Sequence, residues 1–277
     1  MPELPELVVV CEVLQRHLAG DDIREVWISP KGGPIVVRDL TGRGFDAGLR
    51  SQHISAVSRR GKFLLMEFAA RPLRLVVNFK LTGRFQFCSP EAKKPGEVHV
   101  RLRFVSADRE LRYIDRKRMG QLYLTEDLDA VPGYSAMGPD ALEVSRQEFT
   151  HRLGSFRGEI KGILARERFV AGIGNAYADE ILWEARIHPY RKRPSLTRQE
   201  KNGLYDATRK VLLQSTELVR RAMGEDIHLK PRDFFAVHMR EGEPCPRCGN
   251  AVSAITANRR ITNFCRSCQP GGLIRGM

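Results

Sequence analysis

Residues 171–183 read AGIGNAYADEILW. Two glycines and an asparagine lead straight into a run with helical spacing, so the stretch is a loop feeding a helix N-terminus, where free backbone N–H groups suit a phosphate. The glycines do not make a dinucleotide site, because the strand before them and the acid beyond them that such a fold requires are missing. What the stretch decides is that this part of the chain is helical. Around it SRQEFTHRL, EIKGILARE and the long TRQEKNGLYDATRKVLLQSTELVRRAM keep a helical period. Ser145 with Glu148, and Thr197 with Glu200, have capping-box spacing. A small helical bundle over residues 138–235 is expected.

Upstream the pattern changes. EDLDAVPGYSAMGPDAL (126–142) interrupts it with proline, glycine and small residues, the composition of a domain boundary. Before that boundary lie short β-branched or alternating runs: IREVWIS, PIVV, HISAVS, FLLMEF, RLVVNF, RFQF, VHVRLRF, LRYID and QLYL. Turn residues separate them at sandwich-like intervals, so residues 1–130 should form an antiparallel β domain beside an N-terminal helix.

That helix begins in MPELPE (1–6) and continues as LVVVCEVLQRHLAG, closed by Gly20. Pro5 fits the first helical position and Glu6 the positive end of the helix dipole. Pro2 and Glu3 have no such structural reading. With Met1 removed, Pro2 would present a secondary amine that can attack an aldehyde carbon and form an iminium cation; inside a Met-Pro amide the same nitrogen has no usable lone pair.

Downstream, Cys245-Pro-Arg-Cys248 and Cys265-Arg-Ser-Cys268 stand sixteen residues apart. Each pair puts two thiolates on a tight turn, and two such turns close a tetrahedral sulfur shell around zinc. Four cysteines leave no open position for water, so the zinc is expected to be structural and to hold together a segment, 236–277, too small to fold on apolar burial alone. TANRRITNFC between the pairs reads as a hairpin with Arg259 and Arg260 at its tip. Taken alone, it suggests a β-ribbon finger on DNA phosphate.

Composition narrows the function classes. The chain of 277 residues has 46 Lys and Arg against 33 Asp and Glu, a net charge of +13 and a pI near 9.8. Basic clusters at RRGK (59–62), DRKR (115–118), RKR (191–193), VRRAM (219–223) and NRR (258–260) point to a polyanion, nucleic acid ahead of membrane. No stretch reaches transmembrane length, and the start has no signal-peptide pattern, so a cytoplasmic location is expected. Cys11 and Cys88 are expected to be buried filler.

Together, MPELPE, RRGKFLL, GIGNAYADE and the C-x2-C-x16-C-x2-C finger with R-x-T-x-F-C resemble the formamidopyrimidine-DNA glycosylase and endonuclease VIII family of base-excision repair enzymes, in the family's order and from end to end. The resemblance implies an α+β chain: an N-terminal antiparallel β-sandwich with an N-terminal helix, a helix-two-turn-helix bundle and a four-cysteine zinc β-hairpin finger, with damaged double-stranded DNA in a basic cleft between domains. It implies a monomeric glycosylase and AP lyase, nucleoid-associated when bound to DNA. Pro2 is then the nucleophile, Glu3 the general acid and proton carrier, Lys62 a phosphate contact beside β-elimination, and Arg260 the finger arginine that supports loss of the second phosphate. Lys161 and Asn175 match further phosphate contacts. Glu180 matches the carboxylate that orients the proline.

The chain departs from the pattern at two places. The formamidopyrimidine branch fills the gap left by an extruded base with a methionine, an arginine and a phenylalanine. The matching stretches NFKLTGRF and DRKRMG supply Leu81, Lys117 and Met119, with Arg118 beside them as a further DNA contact. Lysine lacks arginine's planar fork, which removes the basis for carrying over a preference for cytosine opposite the lesion. Members that cap 8-oxoguanine carry a Gly-Gly-Thr-Thr-like run before the finger, whereas this chain has ELVRRAMGEDIHLKPRDFF (217–235). 8-Oxoguanine is therefore expected to be a poorer substrate than formamidopyrimidines or oxidised pyrimidines. Two other readings account for part of the pattern: a non-catalytic lesion-binding protein on the same scaffold, and a ribosome-like RNA binder, which leaves the N-terminus unexplained.

Overall fold

The structure is a computed structural model that describes the chain apart from residues 70, 71, 107, 258, 259 and 272–277. Its residues fall into two compact units, Met1–Ala136 with Val219–Pro231, and Met137–Leu218 with Arg232–Met277.

The first unit begins with α1 (Leu4–Leu18). Leu7, Val10, Cys11, Leu14 and Leu18 recur at helical spacing and are all buried in the core. The helix starts one residue earlier than its proline suggests, so Pro5 sits at the second position, where its missing N–H is equally harmless. Glu3 is the N-cap, and the Glu3 N–H donates to Glu6 Oε2 at 2.9 Å while the Glu3 side chain accepts from the Glu6 backbone. This capping box gives Glu3 the structural role that the sequence left open.

The strands are β1 (Ile23–Ile28), β2 (Val37–Asp39), β3 (Ile54–Arg60), β4 (Phe63–Phe68), β5 (Arg74–Asn78), β6 (Gly83–Cys88), β7 (Val98–Phe104), β8 (Glu110–Asp115) and β9 (Gln121–Thr125). They form a four-stranded sheet, β1-β7-β8-β6, and a five-stranded sheet, β2-β9-β5-β4-β3. β2 pairs parallel with β9, a departure from the wholly antiparallel half expected. PIVV is not a strand either: α2 (Gly33–Val36) takes most of it, because Pro34 opens a helical turn more readily than it joins a ladder. A further short helix, α3 (Phe45–Leu49), precedes β3.

β3 is a sheet edge, and α1 covers it with side-chain hydrogen bonds. Gln15 Oε1 accepts from the Val57 N–H, and Cys11 Sγ donates to Ser58 O at 3.2 Å. Burial raises the Cys11 pKa to about 12, so it stays a thiol. Cys88, by contrast, is only half-buried. The strand alternation would send Arg112 to solvent, but it is fully enclosed. Its guanidinium donates to the carbonyls of Pro90 (2.6 Å) and Ala92 (2.8 Å) and to Glu110 Oε1 (2.6 Å), pinning the loop between β6 and β7.

The second unit is helical: α4 (Arg146–Ser155), α5 (Ile160–Leu164), α6 (Asn175–Glu184) and α7 (Arg198–Met223), whose last turn belongs to the first unit. Ser145 Oγ accepts from the Glu148 N–H at 3.1 Å. At α7 the box is reciprocal, Thr197 N–H to Glu200 Oε2 at 2.8 Å and Glu200 N–H to Thr197 Oγ1 at 3.2 Å. α5 is a single turn, shorter than EIKGILARE suggests; the Ala165 N–H closes back on Lys161 O and Ile163 O. The hairpin β10 (Ser253–Ala257) and β11 (Arg260–Phe264) completes this mixed α+β chain. No helix among the described residues is long and apolar enough to cross a membrane.

Candidate active site

In the first unit a cavity of about 210 Å³ opens beside the start of α1. Pro2, Glu6, Leu7 and Val10 line it from the N-terminus, Phe79, Leu81, Thr82, Arg84 and Arg116 from the sheet and its loops, Met223 from the end of α7, and Ile227, Leu229 and Lys230 from the segment after it. Such a mixture, apolar walls with a few charged groups, is what a pocket for a planar polar ring requires. Pro2 is half-exposed, while Glu3 beside it is 3% exposed. The last turn of α7 and the segment after it are fastened down: Arg220 pairs with Glu12 at 2.7 Å, Glu225 pairs with Arg16 and His17 at 2.7 Å each, Ile227 enters the core, and Arg84 donates to His228 O at 3.1 Å. Sequence reasoning missed Glu6, Arg84 and Lys230 as lining residues; only Glu6, in the repeated Pro-Glu step, carried any signal.

Lys62 sits in the β3–β4 turn behind Gly61, whose φ of +56° favours glycine, and is 8% exposed. Leu81 and Met119, by contrast, are 45% and 47% exposed on two neighbouring loops. Lys117 is exposed beside Met119, and Arg118 pairs with Glu97 at 2.8 Å.

In the second unit the remaining candidates gather at the hairpin. Arg260 is exposed at the start of β11; Arg259 lies outside the described residues. The carbonyl of the next residue, Ile261, accepts from Lys161 Nζ and from Asn175 Nδ2, each at 2.9 Å. Lys161 Nζ also donates to Thr262 Oγ1 at 2.8 Å and lies 2.7 Å from Asp179 Oδ1. Lys161 is thus an enclosed strut that fixes the finger backbone next to Arg260, a different geometry from the open phosphate contact expected of it. Asp179, with no exposed surface, also lies 2.8 Å from His238 Nδ1 and accepts from the Asn263 N–H at 3.3 Å. No sequence pattern pointed to this hub. Both Glu180 oxygens are occupied by the N–H groups of Ala236, Val237 and His238 at 2.8–2.9 Å. Burial pushes its carboxyl up by more than these three donors lower it, and the same bonds make Glu180 the anchor of the 236–238 backbone within its own unit.

If Lys161 is a strut, Lys161→Met strands a buried carboxylate and should cost about 3 kcal/mol of stability in a denaturant titration. A lysine that served only phosphate would instead weaken DNA binding and leave the unfolding midpoint in place.

The four cysteine sulfurs lie within 4.8 Å of one another, with Cys245 and Cys268 3.9 Å apart and Cys248 and Cys265 3.4 Å apart. A tetrahedral zinc with bonds of about 2.3 Å needs sulfurs about 3.8 Å apart, so the donor set fits. Burial works against ionisation of Cys245, but backbone N–H groups of Arg247 and Cys248 and the Trp183 indole outweigh it and bring the thiol down to about 6. Burial and the neighbouring sulfurs push Cys268 up to about 12. A divalent cation among the four sulfurs would favour the thiolate form of all of them.

Comparison with known proteins agrees with this geometry. Residues 1–122 match the formamidopyrimidine-DNA glycosylase N-terminal domain, residues 136–225 its H2TH domain, and residues 242–271 a zinc finger found in FPG and IleRS. Formamidopyrimidine-DNA glycosylases of Desulforamulus reducens and Symbiobacterium thermophilum are 35% and 36% identical, over 97% and 98% of this chain and 99% and 90% of theirs. A Lactococcus lactis FPG solved with Fapy-dG containing DNA superposes with a TM-score of 0.84 at 28% identity, covering 97% of this chain and all of that one. A MutM complex with carbocyclic 8-oxo-G containing DNA gives 0.83 at 28%, covering 98% and 100%. A cavity lined by Pro2, a four-cysteine zinc hairpin and these full-length likenesses converge: the chain belongs to the formamidopyrimidine-DNA glycosylase family and is a base-excision repair glycosylase with AP lyase activity.

Proposed function

We propose that the amine of Pro2, freed by removal of Met1, attacks C1′ of a damaged nucleotide held in the cavity at α1. The observation that carries this reading is that Pro2 itself lines that cavity, with the buried Glu3 next to it in sequence. A bond forms between the proline nitrogen and C1′ as the bond to the base breaks, and the base leaves with a proton supplied through Glu3. The family resemblance assigns orientation of the amine to Glu180, whose oxygens hold the 236–238 backbone within its own unit. The deoxyribose ring opens to an iminium cation, which draws electrons toward nitrogen and makes a C2′ proton acidic. Its removal expels the 3′ phosphate beside Lys62, and a second elimination expels the 5′ phosphate with Arg260 in support. Asn175 and Lys161 serve this chemistry through Ile261, the residue next to Arg260. Segments 1–130, 138–235 and 236–277 divide the work into chemistry, DNA docking and the finger. The protein works as a monomer in the cytoplasm, on the nucleoid.

Leu81 and Met119 enter the stack where the damaged base leaves, since unstacking costs a few kcal/mol that inserted side chains recover. For the lesion itself, the roof of the cavity is the anchored segment with Ile227, Leu229 and Lys230, where a Gly-Gly-Thr-Thr run would offer small residues and backbone donors. That favours formamidopyrimidines and oxidised pyrimidines over 8-oxoguanine. Single-turnover excision from matched duplexes is expected to rank them in that order; fastest removal of 8-oxoguanine opposite cytosine would refute the ranking.

A further inference from the structure

Two loops carry the chain from one sheet to the other at the same end of the sandwich. One joins β5 to β6 through residues 79–82, the other joins β8 to β9 through residues 116–120. They run side by side because β5 pairs with β9, Asn78 opposite Gln121, and β6 pairs with β8, Gly83 opposite Asp115. Each presents one large apolar side chain to solvent, Leu81 and Met119.

Beneath them lies a carboxylate with no exposed surface, Asp115. Its Oδ1 accepts from the Thr82 hydroxyl and from the Lys117 N–H at 3.2 Å, and its Oδ2 accepts from the Gly120 N–H at 2.7 Å and the Tyr113 hydroxyl at 3.3 Å. Thr82 Oγ1 in turn accepts from the Lys117 N–H at 3.0 Å, so the two loops are bonded to each other as well as to the acid. The packing leaves no slack: a Cβ on Gly83 or on Gly120 would collide with the Tyr113 hydroxyl. Arg118, between Lys117 and Met119, is held at a φ of +51°.

We propose that Asp115 is a positioning residue for base extrusion: by clamping both loops it holds Leu81 and Met119 at a fixed spacing, ready to enter the stack together. The proposal rests on the reading of Leu81 and Met119 as inserted side chains. A buried carboxylate that collects three donors from two loops, with the Tyr113 hydroxyl of β8 as a fourth, fixes both loops in one geometry, and a pair of side chains already in place loses less conformational freedom on insertion. Asp115→Asn replaces one acceptor oxygen with an NH2 that faces donors, which releases one loop at least.

The test compares wild type, Asp115→Asn and the double variant Leu81→Ala with Met119→Ala on a formamidopyrimidine lesion, either fully paired or in an unpaired bubble. With unstacking already accomplished in the bubble, Asp115→Asn should slow excision from the paired duplex about 30-fold more than from the bubble. The fluorescence rise of 2-aminopurine placed beside the lesion should shrink in the same variant. An equal loss on both substrates marks a role in stability alone and overturns the proposal. If the double variant shows the selective loss and Asp115→Asn does not, the clamp fails while the insertion reading stands; if the double variant shows no selective loss, the insertion reading fails first. Should Asp115→Asn not unfold cooperatively, Thr82→Val, which breaks the bond between the loops and spares the carboxylate, is measured against the same two outcomes.

Discussion

Pro2→Gly should cut borohydride trapping on abasic DNA by about 100-fold, equivalent to about 2.7 kcal/mol of transition-state stabilisation. A secondary amine condenses with the sugar aldehyde to give a cation directly, whereas a primary amine gives a neutral imine that must first gain a proton before it can withdraw electrons. The ring also fixes the direction of the nitrogen lone pair at a residue that lines the cavity, whereas the amine of glycine rotates freely. A free α-amine titrates at about 7.7–8.0 and at lower pH when desolvated, so trapping should rise as pH approaches that range and level off within it. The fold should be unaffected, since the capping box of α1 uses Glu3 and Glu6. Mass spectrometry of the active protein should find Met1 absent. Active protein that retains Met1, or a glycine variant that traps as well as wild type, would show that the nucleophile lies elsewhere.

Zinc removal should have an effect of similar size by another route. Structural zinc sites of this kind hold about 10–16 kcal/mol of folding free energy. Here the cysteine cluster sits against Trp183, whose indole N–H donates to Cys245 Sγ at 3.4 Å and whose ring lies 4.0 Å beneath the Arg247 guanidinium. Cys265→Ser, or a strong chelator, should therefore release zinc, shift the Trp183 emission and expose the backbone of β10 and β11 to hydrogen exchange. Arg260 would lose its support, because the Lys161 and Asn175 bonds to Ile261 need a folded hairpin. Strand cleavage should fall at least about 100-fold, with loss of the second phosphate affected more than loss of the first. A zinc-free protein with an unchanged product pattern would separate the finger from the chemistry.

The elements legible in the sequence were those whose periodicity met no competing demand. α1, α4, α6 and α7 follow from their apolar spacing and caps, and β3 to β9 from short runs between turns. PIVV misled because β-branched residues behind a proline also fit one helical turn, and pattern alone cannot arbitrate over four residues. The zinc shell was legible because metal geometry constrains spacing directly. Asp115, Asp179 and Arg112 were not: each is enclosed by partners from distant parts of the chain, Thr82 for Asp115, Lys161 and His238 for Asp179, the Pro90 and Ala92 carbonyls for Arg112, and no local pattern marks an acid or arginine that is to be enclosed. Lys161 shows the same limit, since its neighbours in the sequence do not disclose that its ammonium reaches Ile261, a hundred residues away.

The first unit takes back residues 219–231 after the chain has built the helices of the second, and α7 runs unbroken across that border. Met223 and Ile227, from this returning segment, are 4% and 2% exposed. A fragment ending at residue 136 would therefore lack part of its own wall, and no single cut yields either unit whole. Cloning the two as separate modules, or exchanging one with a relative's, must carry residues 219–231 along with the N-terminal part.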